Sequence, residues 1–139
     1  MTERFLLDTN VVIDLLRKRP SCVNWLTNIP SDSILYISGW TLLELIKEKK
    51  SKKEMAEACA KLQQYTVAWP TPERCDEIPN LLIQYFHGQR DSDGRLKGNA
   101  IFDSLIFVTS KSYGLTLVTM DSDFDFAVGQ IQIIKLPKS

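Results

Sequence analysis

The stretch Phe5-Leu6-Leu7-Asp8-Thr9-Asn10 decides the fold that we expect for this chain. Three consecutive apolar residues near one terminus are typical of a buried strand in a parallel sheet. The strand ends on the carboxylate of Asp8, and Thr9 or Asn10 can then cap a helix that starts at Val11. Ligands of open α/β sheets bind beyond the carboxyl ends of the strands. Asp8 is therefore a candidate functional residue if further acidic side chains lie at the same edge of the sheet.

The rest of the chain continues this alternation of apolar strand patterns and helix patterns. Strand patterns are found again at residues 34–37, 66–69, 115–119 and 131–136. Helix patterns cover residues 11–18, 21–27, 41–47, 51–64, 71–87 and 99–113, and residues 121–126 form a short helical turn. We expect Asn99 to cap the helix that runs through Tyr113. The alternation predicts an α/β fold with a central, mostly parallel sheet and helices on both faces. Because the sequence has no internal repeat and no linker rich in Gly, Pro or Ser, we expect residues 1–139 to form a single domain.

The composition limits the classes of function. Lys plus Arg and Asp plus Glu both number 17, so no overall positive charge favours nucleic-acid binding, although this does not exclude a nuclease with a local basic rim. Cys22, Cys59 and Cys75 lie far apart and are odd in number, which predicts reduced thiols rather than disulfides. The sequence has no leader pattern and no apolar run of membrane-spanning length, so we expect a cytoplasmic protein without a membrane segment.

Four acidic residues lie at the centres or ends of apolar segments, where acids are rare. Glu44 and Asp103 each interrupt an apolar predicted helix, and Asp121 follows a predicted strand as Asp8 does. Burial of an ionised carboxylate without a partner costs several kcal/mol or more, and these segments contain no matching set of Arg or Lys. A hard divalent cation such as Mg²⁺ or Mn²⁺ would balance all four carboxylates at once. Asp123 follows Asp121 in a polar turn and is a further candidate ligand.

Four short motifs surround these acids. They are Leu7-Asp8-Thr9-Asn10, Thr41-Leu42-Leu43-Glu44-Leu45, Asp103 within an apolar helix, and Val118-Thr119-Met120-Asp121-Ser122-Asp123-Phe124. In order and spacing, over essentially the whole chain, this set resembles the PIN-domain nucleases, above all the VapC-type toxins of bacterial toxin–antitoxin pairs. The resemblance implies a three-layer α/β/α sandwich and Mg²⁺- or Mn²⁺-dependent cleavage of RNA. It also implies an acidic catalytic and metal-binding cluster with polar supports, formed here by Asp8, Glu44, Asp103 and Asp121 and by Thr9, Asn10 and Thr119.

The chemistry expected of such a cluster is metal-assisted hydrolysis of a phosphodiester bond. The ion would lower the pKa of a bound water and orient the phosphate, and a free carboxylate oxygen would accept the proton of the water. Basic residues suited to steer phosphates follow the helix of Glu44 and occupy the polar segment 88–98, although a solvated surface would contain the same residues. The candidates for RNA contacts are Lys47, Lys49, Lys50, Arg90, Arg95 and Lys97.

Two other functions stay open at this point. An Asp at a strand end with neighbouring acids and Mg²⁺ also suits a phosphoacceptor domain of the receiver or phosphatase kind, but Asp8 is followed by Thr-Asn rather than by a second Asp. The third interpretation is a non-catalytic PIN-like scaffold, which would have no reason to keep so costly a cluster of acids.

The resemblance also implies partners, namely an RNA substrate and a cognate antitoxin protein. The chain has more aromatic and apolar residues than a domain of this size easily buries, which predicts a homodimer contact or a groove for an antitoxin helix. The residues considered for this surface, each of which would equally suit the core, are Trp25, Leu26, Trp40, Tyr85 and Phe86.

Overall fold

The computed structural model of the protein describes residues 2–86 and 88–138. The strands of this part of the chain are β1 (Arg4–Leu7), β2 (Ile34–Ser38), β3 (Thr66–Ala68), β4 (Thr116–Thr119) and β5 (Ile133–Lys135). They form one sheet in the order β3-β2-β1-β4-β5, and each neighbouring pair runs parallel. The predicted parallel sheet is confirmed, and β1 lies at its centre.

Helices cover both faces of this sheet. They are α1 (Thr9–Leu16), α2 (Pro20–Asn28), α3 (Gly39–Lys47), α4 (Lys52–Leu62), α5 (Pro72–Cys75), α6 (Ile78–Tyr85) and α7 (Gly98–Tyr113), and a 3₁₀ segment spans Ser122–Ala127. Since side chains of a strand alternate between faces, Phe5 and Leu7 join the core beneath α1 and α2 while Leu6 joins the core beneath α7. The molecule is thus the predicted three-layer α/β/α sandwich.

The helix predicted over residues 71–87 is wrong in its extent. The structure divides this stretch into α5 and α6, with Asp76 and Glu77 between them, and Pro79 lies in the first turn of α6. Proline lacks an N–H group, so it is tolerated in the first turn of a helix but not in its interior. The predicted end of this helix, His87, lies outside the described residues, and within them α6 ends at Tyr85.

The aromatic residues expected at the surface contribute largely to packing. Phe86 has no exposed surface, so its place in an association patch is wrong. Trp25 packs edge to face on Phe5 with ring centroids 5.1 Å apart, and Tyr85 stacks on Phe126 at 4.7 Å. Leu26 and Trp40 are likewise half-buried. In the described part of the chain, no helix is long and apolar enough to cross a membrane.

Candidate active site

The five predicted ligands converge on one edge of the sheet. The register pairs Leu7 of β1 with Val118 of β4, so Asp8 and Asp121 follow neighbouring parallel strands at their carboxyl ends. The backbone N–H of Asp8 donates to the carbonyl of Val118 at 2.9 Å, which extends the pairing by one residue. Glu44 arrives on α3, which follows directly from β2 on the other side of β1.

Asp8 is almost completely buried, with 5% of its surface exposed. Its Oδ1 accepts a hydrogen bond from the backbone N–H of Thr9 at 2.8 Å, and its Oδ2 accepts one from the hydroxyl of Thr119 at 2.8 Å. Asp8 itself therefore caps α1, and the prediction that Thr9 or Asn10 would do so is wrong. Burial raises the pKa of Asp8 to about 6 against the effect of these hydrogen bonds.

The other polar residues next to these acids fix the positions of Glu44 and Asp121. The hydroxyl of Thr9 lies 2.9 Å from that of the buried Thr41 and donates to Oε1 of Glu44 at 3.2 Å. The amide of Asn10 donates to Oδ2 of Asp121 at 2.8 Å. Thr9 and Asn10 thus orient the carboxylates of Glu44 and Asp121, which is the geometry expected of polar supports.

Asp103 lies on α7 and is half-buried, and its Oδ2 atom is buried without a hydrogen-bond partner. The pKa of Asp103 is raised to about 8, first by burial and then by the negative charges of the neighbouring acids, in the order Asp8, Asp123, Asp121 and Glu44. An unsatisfied carboxylate oxygen next to like charges is unfavourable unless something positive is bound beside it.

These side chains line a cavity of about 310 Å³. Six carboxyl groups contribute to its wall, those of Asp8, Glu44, Glu48, Asp103, Asp121 and Asp123. Within residues 2–86 and 88–138, no three His, Cys, Asp or Glu side chains are drawn together as a preformed ion site. The acids surround an open space rather than closing on a single point.

The six predicted RNA-contact residues are not brought to this cavity. None of Lys47, Lys49, Lys50, Arg90, Arg95 and Lys97 lines it. All six are exposed, and Lys49 lines a neighbouring groove. Lys97 instead precedes α7 as its N-cap, so the predicted cap at Asn99 is wrong. Their contact with RNA stays a prediction.

Three residues of the site were missed by the sequence reasoning. Glu48 lies four residues after Glu44 and Asn99 four residues before Asp103, and this spacing places each pair on one helix face. The sequence thus contains a signal for both residues, although an Asn at the start of a helix pattern equally predicts a helix cap. Thr41 lies in the same motif as Glu44, yet its bond to Thr9 depends on how α1 and α3 pack and has no local signal.

A parallel α/β/α sandwich with a carboxylate-lined cavity at the carboxyl ends of its strands defines the class of this protein. The model of the PIN domain family matches residues 5–128, and the chain therefore belongs to the PIN domain family. A comparison with curated proteins gives no significant match.

Solved structures share the fold over nearly the whole chain. VapBC2 from Rickettsia felis, bound to a DNA fragment from the promoter, is 20% identical with a TM-score of 0.69, covering 96% of this chain and 98% of that one. VapBC-1 from nontypeable Haemophilus influenzae is 21% identical with a TM-score of 0.69, covering 95% and 97%. Mycobacterium tuberculosis VapC20, described as a Sarcin-Ricin loop cleaving toxin, is 16% identical with a TM-score of 0.61, covering 88% and 94%.

Proposed function

We propose that this protein is a divalent-metal-dependent ribonuclease and the toxin of a toxin–antitoxin pair. The observation that carries the proposal is the unpartnered Oδ2 of Asp103 in a cavity lined by six carboxyl groups. Membership of the PIN domain family and the likeness to VapC20, a toxin that cleaves the Sarcin-Ricin loop, support RNA as the substrate.

The residues present fit a hard divalent cation. Mg²⁺ and Mn²⁺ bind carboxylate oxygens, and the cavity supplies many of these and no Lys or Arg among its described lining residues. The pKa of Asp103 is raised by burial and then by repulsion from the other acids, and a cation would remove that repulsion. The residues that would hold it are Asp8, Glu44, Asp103, Asp121 and Asp123.

In the proposed reaction the side chains of the cavity fix the acids in position and accept a proton from water. The bound ion would supply Lewis acidity toward a water molecule and the scissile phosphate. Thr119 and the start of α1 hold both oxygens of Asp8, Thr9 orients Glu44, and Asn10 orients Asp121, so these acids are fixed before substrate arrives. A carboxylate oxygen that is not engaged with the ion would accept the proton of the attacking water.

A groove next to the cavity suits the proposed antitoxin partner. It has a volume of about 390 Å³ and lies between α1, α3 and α4, with Ile13, Leu16, Leu45 and Leu62 on its walls. Its lining shares Ile13, Leu45 and Glu48 with that of the acid cavity. An apolar face of a partner helix fits such a groove, and a partner bound there would lie beside the acids. The neighbours from R. felis and H. influenzae are themselves VapBC structures, which supports a partner of this kind.

Two further proposals concern the cellular location and the oligomeric state of the protein. The free thiols Cys22, Cys59 and Cys75 suit a reducing compartment, which supports the cytoplasm as the location. Association into a homodimer is proposed as well, and light scattering of the purified protein across micromolar concentrations tests it.

The phosphoacceptor alternative is disfavoured by the charges around Asp8. A phosphoryl group on Asp8 would add negative charge to a wall of six carboxyl groups, and no Lys or Arg lines the cavity among its described residues to balance that charge. Incubation with a small phosphodonor should therefore leave Asp8 without an acid-labile adduct.

An RNA cleavage assay in buffers of controlled divalent-metal concentration tests the proposal. Wild-type protein should cleave single-stranded RNA in Mg²⁺ or Mn²⁺ and stop in excess EDTA. Glu44→Gln should lower the rate about 100-fold or more, because it removes a charge from the proposed ligand set. Glu73→Gln, at an exposed acid on α5 away from the cavity, is the matched control and should cleave like wild type. Metal-independent cleavage, or equal activity of Glu44→Gln and wild type, would refute the proposal.

A further inference from the structure

Asn99 is a polar residue of the cavity that is neither a proposed metal ligand nor a support of one. It lies in the first turn of α7, one helical turn before Asp103 and on the same face of the helix. Its side chain lines the acid cavity and is exposed. Its amide makes no hydrogen bond to any other described residue, whereas Lys97 occupies the cap position.

The other donors of the cavity wall are already engaged. Among the described lining residues, side-chain N–H or O–H donors besides carboxylic acids occur on Thr9, Asn10 and Asn99. The hydroxyl of Thr9 donates to Glu44, and the amide of Asn10 donates to Asp121. Among the described lining residues, Asn99 is therefore the neutral donor with neither amide N–H engaged, whereas Asn10 keeps one N–H and is held at Asp121 by the other.

A phosphodiester that enters this cavity needs such a donor. Its non-bridging oxygens are negatively charged and meet a wall of carboxylates, which a divalent ion balances only in part. A Lys or Arg at the position of Asn99 would pair with the acids, whereas an amide donates to a phosphate oxygen without adding charge to the ion site.

We propose that the side-chain amide of Asn99 donates a hydrogen bond to a non-bridging oxygen of the RNA phosphate at the cleavage site. This positions the phosphodiester along the face of α7 that also presents Asp103. The inference rests on the proposed ribonuclease function and names the residue that binds its substrate.

The carbonyl oxygen of the same amide defines the competing role, as a ligand of the metal ion. The two roles respond oppositely to Asn99→Asp, which keeps the shape and replaces the donor by a carboxylate. A metal ligand would improve with the added charge, whereas a phosphate donor would become a source of repulsion.

The experiment compares wild type with Asn99→Ala and Asn99→Asp, and uses Asn80→Ala as the matched control at an exposed asparagine of α6. Thermal melts without RNA measure stability and its increase with Mn²⁺. Cleavage of a single-stranded RNA in Mg²⁺ gives kcat and KM. Fluorescence anisotropy of the same RNA, labelled and measured in Ca²⁺, gives binding separately from cleavage.

Asn99→Ala should melt like wild type and keep the full Mn²⁺ effect, because the amide has no partner in the protein. Its kcat/KM should fall roughly 10- to 100-fold, the loss of one hydrogen bond to a charged group. Asn99→Asp should bind the RNA more weakly than Asn99→Ala, and Asn80→Ala should match wild type in every measurement.

Cleavage and binding of RNA by Asn99→Ala equal to those of wild type would overturn the inference, because the amide then contacts no phosphate. A larger Mn²⁺ effect of Asn99→Asp with activity retained would also overturn it, since that result assigns the residue to the metal. A wild type that binds RNA without cleaving it removes the proposed function but leaves Asn99 to be decided by anisotropy, and a wild type that does not bind RNA removes both.

Discussion

Two acids in the same protein, Glu77 and Asp103, have opposite electrostatic surroundings. Glu77 precedes α6, and its two oxygens accept from Arg74 at 3.0 Å and Lys111 at 3.0 Å, which lowers its pKa. Asp103 has one oxygen without a partner, and burial among other acids raises its pKa to about 8. Lys111 lies on α7 with Asp103, two turns further along, so one helix contributes to both environments.

The difference shows where the chain supplies its own counterion. Around Glu77 the cations come from the protein, and the cluster ties α5, α6 and α7 together. Around Asp103 no Lys or Arg lines the cavity within the described residues, and the repulsion remains. Proteins retain such local destabilisation at functional sites, where a ligand removes it.

The largest effect is expected on activity. Expression of wild type without a partner should inhibit growth, and Asp8→Asn should relieve the inhibition while lowering RNA cleavage about 100-fold or more. Asparagine still caps a helix, so the fold should persist. Glu77→Gln should inhibit growth as wild type does. Equal inhibition by Asp8→Asn and wild type would show that toxicity does not arise from this cavity.

The second effect concerns stability and metal. Asp103→Asn removes a charge from the repelling cluster, so the metal-free variant should be more stable than wild type at pH 8, by roughly 1–2 kcal/mol after allowance for screening. Added Mn²⁺ should stabilise wild type more than the variant, because a ligand stabilises the state that binds it. Melting curves in EDTA and in Mn²⁺ measure both quantities. A variant that melts well below wild type in EDTA would identify Asp103 as a structural acid.

The third effect is a pH dependence of metal-free stability. The pKa of Asp8 is raised to about 6 and that of Asp103 to about 8, both above the ordinary value of 3.8. Both side chains therefore bind protons more tightly in the folded state than in the unfolded state. Stability should therefore fall as pH rises from about 4 to about 8, the range in which the folded state binds more protons than the unfolded state. Urea titrations in EDTA across this range should give a smaller fall for Asp103→Asn than for wild type. Parallel profiles of the two proteins would contradict the assignment.

The smallest effect is expected at Glu77. Its side chain is about a third exposed, so Glu77→Gln should cost only about 0.5–1 kcal/mol. Because the pKa of Glu77 is lowered, its contribution is present above pH 4.5 and is lost as pH falls, opposite in sign to that of Asp103. High salt should reduce the difference between variant and wild type. If Glu77→Gln were more stable than wild type at pH 8, Glu77 would be a repelled acid like Asp103, and the contrast between the two residues would be wrong.

The sequence predicted the sheet and the grouping of five acids because both follow from local patterns. Asp8 directly follows one apolar strand pattern, and Asp121 lies two residues after another. Because the carboxyl ends of parallel strands share one edge of the sheet, these two acids are expected there together. The PIN domain resemblance is confirmed by the family match. The catalytic and metal-binding roles of these acids stay predictions.

What the sequence did not predict depends on packing between distant elements. The partner of Thr41 is fixed by the contact of α1 with α3, and the burial of Phe86 depends on its contact with Phe126. The break between α5 and α6 had a local signal in Pro79, which the apolar pattern of the stretch obscured. The six basic residues lie near the acids in sequence, yet none of them lines the acid cavity, because the packing of the elements decides which side chains reach it.

The order of the strands has a consequence for the synthesis of the protein. β1, near the start of the chain, is paired with β4, and Asp8 binds Thr119, which lies 111 residues later. A nascent chain that has not yet released β4 from the ribosome therefore lacks Thr119 and Asp121 at the cavity, however well its first three strands have formed. Assembly of the acid cluster is thereby delayed until β4 and Asp121 have been translated and released. The proposed ribonuclease activity, which needs this cluster, cannot arise before that stage.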